Sequence, residues 1–115
     1  MTYRLSCHCG AVQIDLNVAD LGTPYRCDCS LCRRKGAAIA AVARDALTIV
    51  QGTQNLTLYQ WNTKVAEHYF CKTCGIYTHH KRRVDPATFG VNTGAIDGFV
   101  AAEIGEVSGR NHPSD

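Results

Sequence analysis

No stretch of this 115-residue sequence approaches the roughly 18 consecutive apolar residues of a membrane-spanning helix. Its opening run, Met1-Thr2-Tyr3-Arg4-Leu5-Ser6-Cys7, lacks the apolar segment of a secretory signal. The expectation is therefore a protein of the reducing cytoplasm with no membrane partner. Sustained 3.6-residue periodicity is also missing, which argues against a helical bundle. There is no Ser–His–Asp set, no phosphate loop and no nucleotide fingerprint, and Gly94 to Gly98 is too sparse to count as one. Nor is composition extreme: 45% hydrophobic and 19% charged residues exclude wholesale disorder. The length suits one domain that buries roughly two-thirds of its unfolded surface.

What is abundant is cysteine. Seven in a short chain would suggest a disulfide framework only if the number were even and the protein exported. In a cytoplasmic chain the same density points to metal. All seven have another cysteine only two or three positions away, whereas inert buried thiols scatter. Metal ligation also changes the charge. The formal value is +2, but seven thiolates subtract seven and two zinc ions return four, leaving about −1. A basic surface seeking nucleic acid is thus an artefact of counting cysteine as neutral, and strong nucleic-acid binding is not expected.

The cysteines form three groups: Cys7-His8-Cys9-Gly10, Cys27-Asp28-Cys29-Ser30-Leu31-Cys32, and Cys71-Lys72-Thr73-Cys74-Gly75. Zinc prefers four ligands at tetrahedral angles. Residues two apart on a regular strand stand roughly 7 Å from each other, too far for two bonds to one ion. Each Cys-x-Cys must therefore sit in a bend, for which Gly10 and Gly75 are suited. The triple Cys27, Cys29 and Cys32 can wrap one metal alone. Cys7/Cys9 and Cys71/Cys74 offer two thiolates each, and joining them gives a closed four-thiolate site across more than sixty residues of chain. The triple is left with an open fourth position, the arrangement of catalytic zinc. A histidine or a partner's cysteine in that position would make it structural instead.

Around these groups the sequence reads as short strands. Val12, Ile14, Leu16 and Val18 alternate with polar residues; Ala37–Val42, Leu47–Val50, Asn55–Tyr59 and Phe89–Thr93 follow, divided by turn signals. Ala66–Phe70 and Ile76–His80 flank the third cysteine group like the arms of a hairpin, and Ser30 would cap a helical turn that Gly36 ends. The fold class is all-β. Residues 1–107 form the domain and 108–115 a polar tail.

Ser6-Cys7-His8-Cys9-Gly10-Ala11-Val12, the run from Cys27 to Ala37, and Phe70-Cys71-Lys72-Thr73-Cys74-Gly75 resemble the family of glutathione-dependent formaldehyde-activating enzyme and centromere protein V. The likeness runs from about Tyr3 to Asn92. It implies an Mss4-like β-tent of short antiparallel strands stapled by zinc, with two zinc ions per chain. One, structural, would be held by Cys7, Cys9, Cys71 and Cys74; the other, catalytic in type, by Cys27, Cys29 and Cys32. The activity that names the family joins formaldehyde to the thiol of glutathione and is classed with carbon–sulfur lyases. The resemblance thus implies a small thiol or thiol–aldehyde adduct as partner, with a non-catalytic zinc-stapled binding module as the alternative. This chain is shorter than the enzyme that names the family, so fold and metals carry over further than glutathione does.

Other residues near the open triple are candidates of lesser weight. Arg33 and Arg34 would hold the carboxylate of an acidic thiol or, with Lys35, balance the thiolate charge or face solvent. His68 and His80 are candidates for acid–base help or the missing ligand. Alternation sends His79 and His80 to opposite faces, so only one can face the metal. His8 is expected to point outward, and Trp61, Tyr59 and Tyr69 to line either a pocket or the core.

Overall fold

The computed structural model describes residues 2–107; the stretch read as a polar tail lies outside them. Its strands are β1 (Tyr3–Ser6), β2 (Gln13–Leu16), β3 (Tyr25–Cys27), β4 (Ile39–Ala43), β5 (Leu47–Gln51), β6 (Leu56–Tyr59), β7 (Glu67–Cys71), β8 (Tyr77–Lys81), β9 (Thr88–Asn92) and β10 (Gly105–Val107), with one helix, α1 (Ser30–Lys35). Among the described residues two sheets form, in the orders β1-β2-β5 and β10-β3-β4-β9-β8-β7-β6. All pairings are antiparallel save one: β10 runs parallel to β3. The expected strands are present within a residue or two. The three that sequence reasoning did not find are β1, β3 and β10; the last two have only three residues each.

Alternation explains how the sheets pack. Val12, Ile14 and Leu16 share one face of the small sheet and are fully buried, as are Leu5 from β1 and Val91 from the large sheet. Burying such a side chain stabilises by about 1.5–3 kcal/mol. Cys7 and Cys71 belong to this same core, whereas Cys29 and Cys32 pack with Ile39 in a second, smaller cluster. The corner from β5 to β6 turns at Gly52, whose φ of +87° and approach to the Ala11 carbonyl admit no side chain.

One local expectation needs correction. The cap of α1 is Cys29, not Ser30: the Cys29 backbone is extended and its sulfur accepts from the Cys32 amide at 3.3 Å. A thiolate is the better acceptor here, and Ser30 becomes the first helical residue. Gly36 ends the helix as expected, with φ +68° and its N–H on the Cys32 carbonyl.

Candidate functional site

Two thiol clusters assemble, each with its ligand atoms within 4.8 Å of one another: Cys7, Cys9, Cys71 and Cys74, and separately Cys27, Cys29 and Cys32. All seven thiols are free of disulfides. In the first cluster both halves are turns. The Gly10 amide bonds to the Cys7 carbonyl and the Gly75 amide to the Cys71 carbonyl, with φ of +81° and +78° at the two glycines. The sulfur–sulfur spacings are 3.7 Å for Cys7–Cys9 and 3.7 Å for Cys9–Cys71. Four thiolates at about 2.3 Å from a tetrahedral zinc would stand about 3.8 Å apart, so the donor set fits that ion. The Val12 amide reaches the Cys7 sulfur at 3.2 Å and the Asn55 amide group reaches that of Cys71 at 3.1 Å.

The thiols of this cluster do not ionise alike. Burial pushes Cys71 up, yet the amides of Cys74 and Thr73 and the neighbouring sulfurs hold it down at about 6. Cys9 accepts from the Ala11 amide, but desolvation and the three other sulfurs push it up to about 11. Crowded thiolates repel, so only a cation among them lets all four ionise.

The second cluster is built differently. Cys27 ends β3, Cys29 caps α1 and Cys32 lies one turn in. Burial raises the Cys27 thiol, and the Cys29 sulfur raises Cys32. These three thiols open onto a cavity of about 250 Å³ whose wall also includes Trp61, His68, His80 and Arg83. The Arg83 Nε is buried without a hydrogen-bond partner.

The two histidines are brought there by the β7–β8 hairpin. His68 faces His80 across the pair, and the rings stack at 4.9 Å and 16°. This register depends on a bulge. Phe70 pairs with Tyr77, and without a shift between Tyr69 and Phe70 that register would set His68 opposite His79. His79 instead stacks on Tyr69 on the other face and lines a groove with Leu47, Leu56 and Phe89. The expectation that only one of the pair faces the metal region is met by His80. Gly90 lies opposite His80, and a Cβ there would strike the imidazole.

Lys35 comes from the last turn of α1. Its Nζ is 2.7 Å from His68 Nδ1 and 3.7 Å over the Tyr77 ring. Burial lowers its pKa to about 8, while the thiolates of Cys32, Cys29 and Cys27 pull the other way. Burial and the Lys35 charge lower His68 to about 3, and burial likewise takes His80 well below its usual value. Both imidazoles are therefore neutral near pH 7.

Arg33 and Arg34 lie on the exposed side of the helix, with Arg34 bonded back to the Ser30 carbonyl at 2.8 Å. Neither lines the cavity; Arg82 and Arg83 do. His8 is exposed, Trp61 is half-buried in the cavity wall, and Tyr59 is exposed. Sequence reasoning missed Tyr77, whose hydroxyl sits 2.5 Å from His80 Nδ1. A signal for Arg82 existed, since it follows His80 at strand spacing.

A small β-protein with a closed thiol cluster between its sheets and an open one beside a cavity is thereby defined. The sequence profile of the glutathione-dependent formaldehyde-activating enzymes matches residues 2–107, and the chain belongs to that family. It is 36% identical over 78 residues to a Halomonas elongata protein provisionally named glutathione-dependent formaldehyde-activating enzyme; the match takes in 60% of this chain and 49% of that protein. The matched part is thus about half the length of that curated relative. A crystal structure of a Rhodobacter sphaeroides protein superposes with a TM-score of 0.85 at 44% identity, covering 90% of this chain and 99% of the other.

Proposed function

We propose that this chain is an enzyme of carbon–sulfur bond chemistry, acting on a small thiol–aldehyde adduct such as S-hydroxymethylglutathione. In this reading Cys7, Cys9, Cys71 and Cys74 hold a structural zinc, and Cys27, Cys29 and Cys32 hold a second zinc with one position left for ligand. The observation that carries the reading is the meeting of three thiols with a cavity, where the other four close on themselves. Zinc bound to the triple would favour the thiolate form of an incoming thiol and polarise a carbonyl. The chain's own residues supply the rest. Lys35 offsets the negative charge of the thiolates, Trp61 and Ile39 exclude water from one side, and Arg82 and Arg83 favour an anionic ligand. The names of the family and of the Halomonas elongata relative support glutathione as the thiol, and the free cysteines suit a reducing cytoplasm.

The test uses cobalt in place of zinc. A small thiol such as glutathione should shift the ligand-field bands of the open site alone, and Cys29→Ala should abolish the shift. Fully loaded protein whose spectrum ignores millimolar thiol would instead be a zinc-stapled binding module without turnover.

A further inference from the structure

The cavity wall carries two imidazoles whose inner nitrogens are both engaged. The Lys35 ammonium has only protons to give, so His68 Nδ1 must accept, at 2.7 Å. At His80 the Tyr77 hydroxyl has two acceptors to choose from, Nδ1 at 2.5 Å and the Gly90 carbonyl at 3.4 Å. The nearer one takes the proton, because a bond of 3.4 Å is weak. In a neutral imidazole with an accepting Nδ1, the proton resides on Nε2. Among the described residues the one buried polar side-chain atom without a partner is Arg83 Nε. Among the described residues the bonds of both rings run through Nδ1, which leaves each Nε2 toward the cavity that the rings line.

We propose that His68 and His80 form a pair of Nε2–H donors that receives an oxygen atom of the ligand, with Lys35 and Tyr77 as the positioning residues that fix both tautomers. The ligand class follows, resting on the cavity as the thiol site: a small thiol that carries a hydroxyl or carbonyl oxygen close to its sulfur. A thiol with only carbon beside its sulfur leaves the two donors unpaired. The pair also cannot act as a base toward the cavity, since each free lone pair is turned inward onto Lys35 or Tyr77. Lys35 is central to this arrangement because its Nζ bonds to His68, and no carboxylate among the described residues forms an ion pair with it.

Zinc-loaded protein labelled with nitrogen-15 gives the first readout. Long-range proton–nitrogen spectra should show both rings with Nε2 protonated and Nδ1 bare. Lys35→Met should release His68 into mixed tautomers, Lys35→Arg should restore it, and Tyr77→Phe should release His80 alone. The second readout compares 2-mercaptoethanol with 1-propanethiol on cobalt-loaded protein. The hydroxyl should be worth about fivefold in affinity, one ordinary hydrogen bond. That preference should shrink in Lys35→Met, fall to near unity when Tyr77→Phe is added, and return in Lys35→Arg. An Nδ1–H tautomer at either ring of the wild type, or a Lys35→Met variant that weakens both thiols equally, overturns the proposal. If neither thiol moves the cobalt bands, the thiol reading of the cavity fails by itself. Acetate then decides the donor pair: it should shift both Nε2 resonances, and resonances it leaves in place end the proposal.

Discussion

Cys71 is fully buried in the main core, its sulfur 3.7 Å from that of Cys9 and bonded by Asn55. Cys27, half-buried at the end of β3, looks onto a cavity shared with two histidines and two arginines. Both belong to thiol clusters, but the first joins distant parts of the chain and the second uses residues from one short segment. Cys9 and Cys71 lie 62 residues apart, so a metal between them closes a long loop and removes entropy from the unfolded chain. The triple spans only Cys27 to Cys32, where closure gains little. On the function proposed above, position in the fold, more than ligand type, would separate a staple from a site.

The largest expected effect tests that separation directly. A structural zinc contributes on the order of 10 kcal/mol, comparable with the whole stability of a domain of about 5–15 kcal/mol. Cys71→Ala should therefore leave an unfolded chain by circular dichroism. Cys29→Ala should keep its fold and carry one zinc by elemental analysis, losing about 1 kcal/mol for the cap of α1. Equal collapse of both variants, or one metal in the wild type, would erase the contrast.

Two glycines offer a finer version. Gly52, beside the turn of Cys7 and Cys9, has a positive φ and faces backbone, so Gly52→Ala should cost about 3 kcal/mol in urea unfolding. At Gly90 the obstacle is the His80 ring together with an Ile39 methyl carbon. Gly90→Ala should cost less, about 1–2 kcal/mol, while displacing His80 and altering thiol binding at the open site. A Gly90 variant with unchanged thiol spectra would detach His80 from that site.

How far the sequence foretold this contrast depends on the kind of contact. Cysteine spacing marked both clusters, because a tetrahedral ion restricts which thiols can converge. Alternation marked most strands. Strands β3 and β10 have three residues each and no alternation, and their parallel pairing exists only in the folded chain. Arg33, Arg34 and Lys35 looked equivalent in sequence, but the helix turns the first two to solvent and points the half-buried third at His68 and Tyr77. The meeting of His68 with His80 rests on one bulge, which no periodicity records.

Acid gives a smaller effect and a control. Thiolates lose metal as they protonate, so metal held by either cluster would be released in acid. His79 lies apart from them, in a groove with no cysteine in its wall. Burial first, and the Lys35 charge second, lower its pKa to about 4 from 6.5. The unfolded chain therefore takes up this proton before the native one. Stability is complete above pH 6.5 and falls toward pH 4 by up to about 1.4 kcal/mol per unit, with no further loss from this group below. Between pH 6.5 and 5 the wild type should lose about 2 kcal/mol more than His79→Phe, with zinc content checked in both. An equal loss would mean that the metal clusters govern acid sensitivity entirely.

The smallest expected effect is the absence of strong nucleic-acid binding, and it bears on what the open side of the molecule is for. Phosphate-backbone affinity needs several exposed cations that can release counterions together. The sequence holds two basic clusters, Arg33-Arg34-Lys35 and Lys81-Arg82-Arg83, but the fold disperses them. Lys35 is turned inward against His68 and Tyr77. Lys81 pairs with Glu67 at 3.1 Å, Arg82 bonds to Thr88 at 3.2 Å, and Arg83 lines the cavity. Of these clusters only Arg33 and Arg34 remain exposed, on the helix, and two adjacent cations give a shallow salt slope of roughly −2. With both metals bound the net charge is about −1, which adds repulsion at long range. Fluorescence anisotropy with duplex and single strands at near-physiological salt should show no micromolar complex. Micromolar binding that weakens steeply with salt would mean that the cations beside the triple serve a docking surface, and the contrast between staple and reaction site would have to be redrawn as one between staple and interface.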